Sequence, residues 1–275
     1  MTYKIESILT VVATALLAGT LLVGCQETGY PDPQPVTTAP NRSSQLTVVN
    51  ATADATTLAI LLENESIAAT LGLGQATPAV QVPYLGSLQV RVKGAGGTLG
   101  TADISAKSVF LTNVTYTAFV TDSINRPRVV NAVTGVVTDV GGSRLLVVAN
   151  PTTQTLVAGA GGVRFGHFVQ DLNLPPSTTV TATPTASYRL TPITSTTGVA
   201  SINALNLAYR AVAATFVPVP AGNYRVEKFS GATIAATATP VASSTLTVEA
   251  TKFYTVYSQG LFRRRNIQLG RVQHN

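Results

Sequence analysis

The chain repeats itself. Leu46-Thr-Val-Val-Asn50 through Asp54 aligns without a gap on Val163-Arg-Phe-Gly-His167 through Asp171. Val82-Pro83-Tyr-Leu-Gly86-Ser-Leu-Gln-Val90 then matches Val219-Pro220-Ala-Gly222-Asn-Tyr-Arg-Val226 with one residue of slack, and Tyr116-Thr-Ala-Phe119 matches Tyr254-Thr-Val-Tyr257. Gly86 and Tyr116 lie 30 residues apart, Gly222 and Tyr254 lie 32. A duplication this evenly spaced obliges the fold to use one supersecondary pattern twice. The second copy is longer ahead of Pro220, which places an insertion within residues 175–204.

Each copy reads as strands. Short Val- and Thr-rich runs alternate with turn residues, at Leu46–Val49, Leu58–Leu62, Leu88–Val92, Tyr116–Val120 and Leu145–Val148 in the first copy. Val163–Phe168, Thr215–Val219, Tyr224–Phe229, Thr245–Val248 and Phe253–Tyr257 do the same in the second. This spacing predicts β-sandwiches. Pro-x-Gly and Pro-x-x-Gly between two runs set tight turns, Pro fixing φ and Gly free to take positive φ. The Tyr-Thr-x-aromatic blocks predict late strands whose rings fill the sandwich core, with the tyrosine bonding back to the backbone at a corner. One stretch, Val199–Ala214, has Ile202, Leu205 and Tyr209 on a single helical face and predicts a short helix.

The N-terminus sets the compartment. Lys4 precedes an apolar run from Ile8 to Val23 that ends at Gly24-Cys25, the pattern of a secretory signal peptide. Leu22-Val23-Gly24-Cys25 resembles the bacterial lipobox, which implies that Cys25, the only cysteine, is lipidated and becomes the first mature residue. Attached acyl chains anchor a protein because each buried methylene adds about 0.8 kcal/mol. From residue 26 to about 44 the chain is proline-rich, an extended spacer that fits neither helix nor sheet. The expected organisation is a signal peptide (1–24), a tether (25–44) and two repeats (45–160 and 161–275).

The order of blocks, Val163-Arg164-Phe165-x-His167, Asp171, Val219-Pro220-Ala221-Gly222-Asn223-Tyr224 and Tyr254-Thr255, resembles the bacterial domain-of-unknown-function family numbered 4397. The first copy fits less well, with Asn50 in place of the histidine and Pro83-Tyr-Leu-Gly86 in place of Pro-Ala-Gly. The resemblance spans residues 45–275. It implies tandem immunoglobulin-like β-sandwiches in a cell-envelope protein, and it implies no reaction. The fold class expected is therefore all-β, two tandem antiparallel sandwiches.

Little in the chain offers catalysis. One cysteine excludes a disulfide scaffold and a multi-cysteine zinc site. The two histidines, His167 and His274, cannot make a three-histidine site. His167 and Asp171 could pair for general-base work, but no nucleophile motif accompanies them, and a packed strand histidine is the expected reading. Gly94-Ala-Gly96-Gly97-Thr-Leu-Gly100 lacks the last glycine of a dinucleotide loop and reads as a hairpin connection. No metal or cofactor is expected.

The formal charge is +6, and Arg263, Arg264, Arg265 and Arg271 concentrate the excess near the C-terminus. They are candidate contacts for polyanions, set against a charged edge strand that discourages aggregation. Nucleic acid is not an expected partner. The expected role is a non-enzymatic lipoprotein of the outer membrane or cell surface, contacting envelope polysaccharide or a surface protein through exposed loop aromatics such as Tyr84 or Tyr188. The alternatives are a selective carbohydrate binder and, behind it, a hydrolase-type envelope enzyme.

Overall fold

The structure is a computed structural model that describes residues 44–83, 85–93, 99–139, 141–151, 154–169, 185–193, 200–261 and 266–274. All lie in one compact unit, Asn41–Asn275. The signal peptide, the lipobox and most of the tether fall outside the described residues.

Strands account for all the regular structure among the described residues, and no helix occurs there. One sheet has the order β10 (Arg144–Asn150), β7 (Thr115–Thr121), β1 (Ser44–Asn50), β4 (Val80–Val82). A second has the order β3 (Glu65–Gly72), β2 (Thr57–Leu62), β5 (Leu85–Lys93), β6 (Leu99–Val109). The third is built on β11 (Ala160–His167), β18 (Phe253–Gln259) and β19 (Gln268–His274), with β14 (Ala211–Val212) and β15 (Val217–Pro220) both pairing along the free side of β11. The fourth has the order β13 (Ile202–Leu207), β12 (Ala186–Pro192), β16 (Gly222–Ser230), β17 (Ala242–Val248). A separate two-stranded hairpin joins β8 (Val129–Val130) to β9 (Val137–Asp139).

The third and fourth sheets repeat the strand order of the first and second, and the register repeats with it. Leu46 pairs with Tyr116 and Thr47 with Thr117, as Val163 pairs with Tyr254 and Arg164 with Thr255. These two pairings are parallel, which corrects the expectation of purely antiparallel sheets. A whole second sheet lies between β1 and β7 in the chain, so the crossover is long enough to return in the same direction.

Alternation along the strands builds three apolar layers. Leu46, Val48, Leu58, Ile60, Tyr116 and Val120 meet between the first and second sheets. Val163, Phe165, Tyr188, Val226, Tyr254 and Val256 meet between the third and fourth. The opposite faces of the first and third sheets then close on each other through Val49, Ala51, Phe119, Phe168, Tyr257 and Val272. With both faces covered, β11 is buried at every position. Phe119 and Tyr257 therefore fill this inter-sheet layer, not the sandwich cores expected for them. In a strand they have the opposite parity to Tyr116 and Tyr254 and must point the other way.

The corner tyrosines behave alike. Tyr116 accepts a hydrogen bond from the backbone N–H of Leu111 at 2.8 Å, and Tyr254 accepts one from Glu249 at 3.2 Å. Tyr224 Oη donates to the carbonyl of Pro220 at 2.8 Å and closes the Pro-Ala-Gly turn. Strands β5 and β6 pair antiparallel on either side of the glycine-rich segment, as a hairpin connection requires, though residues 94–98 themselves lie outside the described residues.

The predicted helix over 199–214 is corrected: β13 and β14 occupy it, separated by a turn in which Arg210 has positive φ. Ile202 and Ala204 pack on the core while Leu205 is 53% exposed, a period of two where the helix needs 3.6. The extra length of the second copy divides between two connections. Residues 168–185 join β11 to β12 where 51–56 join β1 to β2, and residues 193–201 join β12 to β13 where 63–64 join β2 to β3.

Candidate functional site

A dense polar cluster among the described residues lies in the layer between the first and third sheets, at strand positions that repeat between the copies. Thr117 and Thr255 each follow a corner tyrosine, and Asn150 and His274 each end an edge strand, opposite Thr115 and Phe253 respectively. Arg164 sits among them with no exposed surface. Its Nε–H donates to Thr255 Oγ1 at 2.8 Å, one Nη to the carbonyl of Ala149 at 3.2 Å, and the other Nη to Asn150 Oδ1. Its guanidinium also stacks over the Phe216 ring, 4.5 Å from the centroid.

The amide of Asn150 fixes the state of the histidine. Because Oδ1 accepts from Arg164, it is Nδ2 that faces His274 Nδ1 at 3.3 Å and Thr117 Oγ1 at 3.1 Å. Nδ1 must then accept, which puts the imidazole proton on Nε2, 2.8 Å from Thr255 Oγ1. Burial, together with the nearby Arg164 charge, lowers the His274 pKa to about 3, so the ring is neutral. Burial also lowers Arg164 to about 10, which leaves it charged at neutral pH. The hydrogen bonds of Arg164 run to neutral oxygens, so carbonyl and hydroxyl dipoles carry its charge.

A second buried set lies beside it. His167 Nδ1 is 3.2 Å from Ser258 Oγ, which is 2.6 Å from Tyr188 Oη; the tyrosine in turn donates to the carbonyl of Gly166 at 2.7 Å. All three side chains are at most 2% exposed, and burial raises the Tyr188 pKa. A serine next to a histidine is the start of a nucleophilic site, but here substrate has no access to it. Elsewhere, Asp54 ties down the segment after β7, accepting from Ser123 Oγ at 2.5 Å, Ile124 N–H at 2.9 Å and Asn125 Nδ2 at 3.0 Å.

The expected site residues divide as follows. Cys25, Leu22, Val23, Gly24, Arg263, Arg264, Arg265, Tyr84 and Asp171 lie outside the described residues. Arg271 is exposed on β19 and borders a cleft of about 150 Å³ with Ser244, Thr245, Leu246 and Leu269. His167 is a packed strand histidine, as expected. Tyr188 corrects its expectation: it is fully buried, stacked on Phe165 at 4.9 Å, because its parity in β12 turns it into the core. Arg164, Asn150, Thr117, Thr255 and His274 were not among the site residues expected from the sequence.

No protein-family model matches the chain, and no curated protein does. Among solved structures, one match is the crystal structure of "a putative cell adhesion protein" from Bacteroides eggerthii DSM 20697. It has 10% sequence identity and a TM-score of 0.24, with 86% of this chain and 97% of that chain covered. So low a score carries no weight for fold or function.

Proposed function

We propose that this chain is a non-enzymatic lipoprotein of the bacterial cell envelope, anchored through Cys25, whose two tandem immunoglobulin-like domains (45–160 and 161–275) bind a surface protein or envelope polymer. One observation carries the non-catalytic part: both histidines of the chain are sealed inside structural polar networks, at 2% and 8% exposure. General acid–base work needs a group that reaches substrate. The anchor and the placement at the outer membrane or cell surface rest on the lipobox-like tetrapeptide and the proline-rich tether. The kinship with family 4397 rests on the sequence blocks around Val163-Arg164, Val219-Pro220-Ala221-Gly222 and Tyr254-Thr255.

Two measurements test this reading. Metabolic labelling with a fatty-acid analogue should mark the wild type and not Cys25→Ser, which should leave the membrane fraction. Labelling of the serine variant would overturn the anchor. The full chain should also retain surface proteins or envelope polymer from cell-envelope extract. Hydrolysis of envelope glycans by the purified protein would overturn the non-enzymatic assignment.

A further inference from the structure

The β8–β9 hairpin differs from everything around it. It is the one two-stranded sheet among the described residues, and its strands pair only with each other. Val130, Val133 and Val136 are 46%, 93% and 60% exposed, three of the large exposed apolar side chains of the molecule within seven residues. A free hairpin of this size is marginal in water, and by register Val130, opposite Val137, and Val136, opposite Asn131, give it exposed apolar side chains on both faces.

The hairpin is nevertheless well built. Asn131 Oδ1 accepts from the N–H groups of Val133 and Thr134 at 2.9 and 3.0 Å, and Gly135 N–H donates to the carbonyl of Asn131 at 2.9 Å. At its root, Arg126 is 8% exposed and donates from Nε to the carbonyl of Gly142 at 2.8 Å and from Nη2 to that of Gly141 at 3.0 Å. Buried Asp122 lies 3.7 Å from the same Nε. A tip ordered in advance binds at lower entropic cost than one that must be ordered on contact.

Its place in the fold argues for a partner rather than for internal packing. The second copy has only residues 260–267 between β18 and β19, where the first has residues 122–143 between β7 and β10. Because β1 runs parallel to β7, Ser44 lies at the Thr115 end of the first sheet and the hairpin leaves from the Thr121 end. The chain thus enters this sheet at one end and presents the hairpin at the other. Arg128, exposed just ahead of the valines, is one of the 18 Lys and Arg residues behind the formal charge of +6.

We infer that the β8–β9 hairpin is a docking finger for an extended, apolar protein segment flanked by a carboxylate, which adds as a further strand to the hairpin while the acidic residue meets Arg128. Strand addition satisfies the open hairpin edges through the partner backbone, and the valines contribute the apolar contact. The proposal rests on the reading of this chain as a binding protein.

The test uses the full chain and an array of eight-residue peptides alternating valine and threonine, flanked by Asp, Asn or Lys. Asp-flanked peptides should bind about tenfold more tightly than Lys-flanked ones, and Arg128→Gln should abolish that preference. Combined V130S, V133S and V136S substitutions should weaken binding by more than about tenfold while leaving the melting temperature unchanged. Binding to none of the peptides, or binding unaffected by the serine variant, would overturn the proposal. So would valine-dependent sedimentation with phosphatidylglycerol vesicles, or valine-dependent dimerisation in light scattering. If the serine variant still captures the same partners from envelope extract, the finger is refuted and the binding role stands.

Discussion

Arg164 and His274 meet on one atom: the Thr255 hydroxyl oxygen lies 2.8 Å from Arg164 Nε and 2.8 Å from His274 Nε2. That oxygen has two lone pairs and accepts from both. The arginine comes from the opening strand of the second copy and the histidine from its last, and the fork of the arginine also reaches across to Ala149 and Asn150 of the first copy. One guanidinium thus fastens two sheets together.

Removing Arg164 should be costly. Arg164→Ala leaves the buried Asn150 amide oxygen without its donor and opens a cavity under Phe216, for a loss of about 3–5 kcal/mol. Arg164→Lys should recover little of it, since an ammonium cannot reproduce the fork. Urea titration of both variants measures this, and a loss under about 1 kcal/mol for the alanine would mean the cluster does not join the sheets.

His274 should make stability fall in acid. Its folded pKa is about 3 and its ordinary value 6.5, so between these values the unfolded chain binds the proton and the folded chain does not. Stability from this group is complete above about pH 6.5 and declines below it, by up to about 1.4 kcal/mol per pH unit, down to about pH 3. Carboxylates also titrate in that window, so the informative quantity is the difference between wild type and His274→Gln in urea melts from pH 7.5 to 4.5. The variant should have the shallower slope, and equal slopes would contradict the buried neutral ring.

Lys228 is 2% exposed on the core-facing side of β16, and burial lowers its pKa to about 8. By register it pairs with Tyr188 as Val92 pairs with Leu58 in the first copy, so an apolar residue suits the position. Lys228→Met should stabilise the fold by about 1–3 kcal/mol at pH 7. The unfolded lysine, near 10.5, still holds its proton where the folded one releases it, so wild-type stability should rise from about pH 8 to 10.5 and that of the methionine variant should not. A destabilised Lys228→Met at pH 7 would mean the ammonium serves the fold.

Much of this architecture was legible because strand alternation and turn chemistry are local. The Tyr-Thr blocks located β7 and β18, and the Val-Pro-x-Gly turn located the start of β16. What alternation cannot say is which outer face meets water. Thr117, Arg164 and Thr255 lie on the outer faces of their sandwiches, and only the closing of the first sheet on the third buries them. His274 is buried by the same closure, and its penultimate position in the sequence says nothing about its place in the layer. Tyr188 was misplaced because its strand is cut off from its neighbours by two lengthened connections, which removed the periodic context that would have fixed its parity.

Gly270 should be irreplaceable even by alanine. It pairs with Tyr257 across β18 and β19, and a Cβ there would overlap the Cζ and Oη of the Tyr257 ring. That ring cannot swing clear, because it packs 5.5 Å from Phe119 and 5.9 Å from Phe168 and donates its Oη to the carbonyl of Gly74 at 3.3 Å. Overpacking of this kind costs about 1–3 kcal/mol. The Tyr257→Leu change removes the ring and leaves room for a methyl, so Gly270→Ala should be nearly harmless in that background. A double-mutant cycle on melting free energies should therefore give a coupling of at least about 1 kcal/mol. Additive losses would mean that Gly270 is needed for its own backbone and not for the space it leaves to Tyr257.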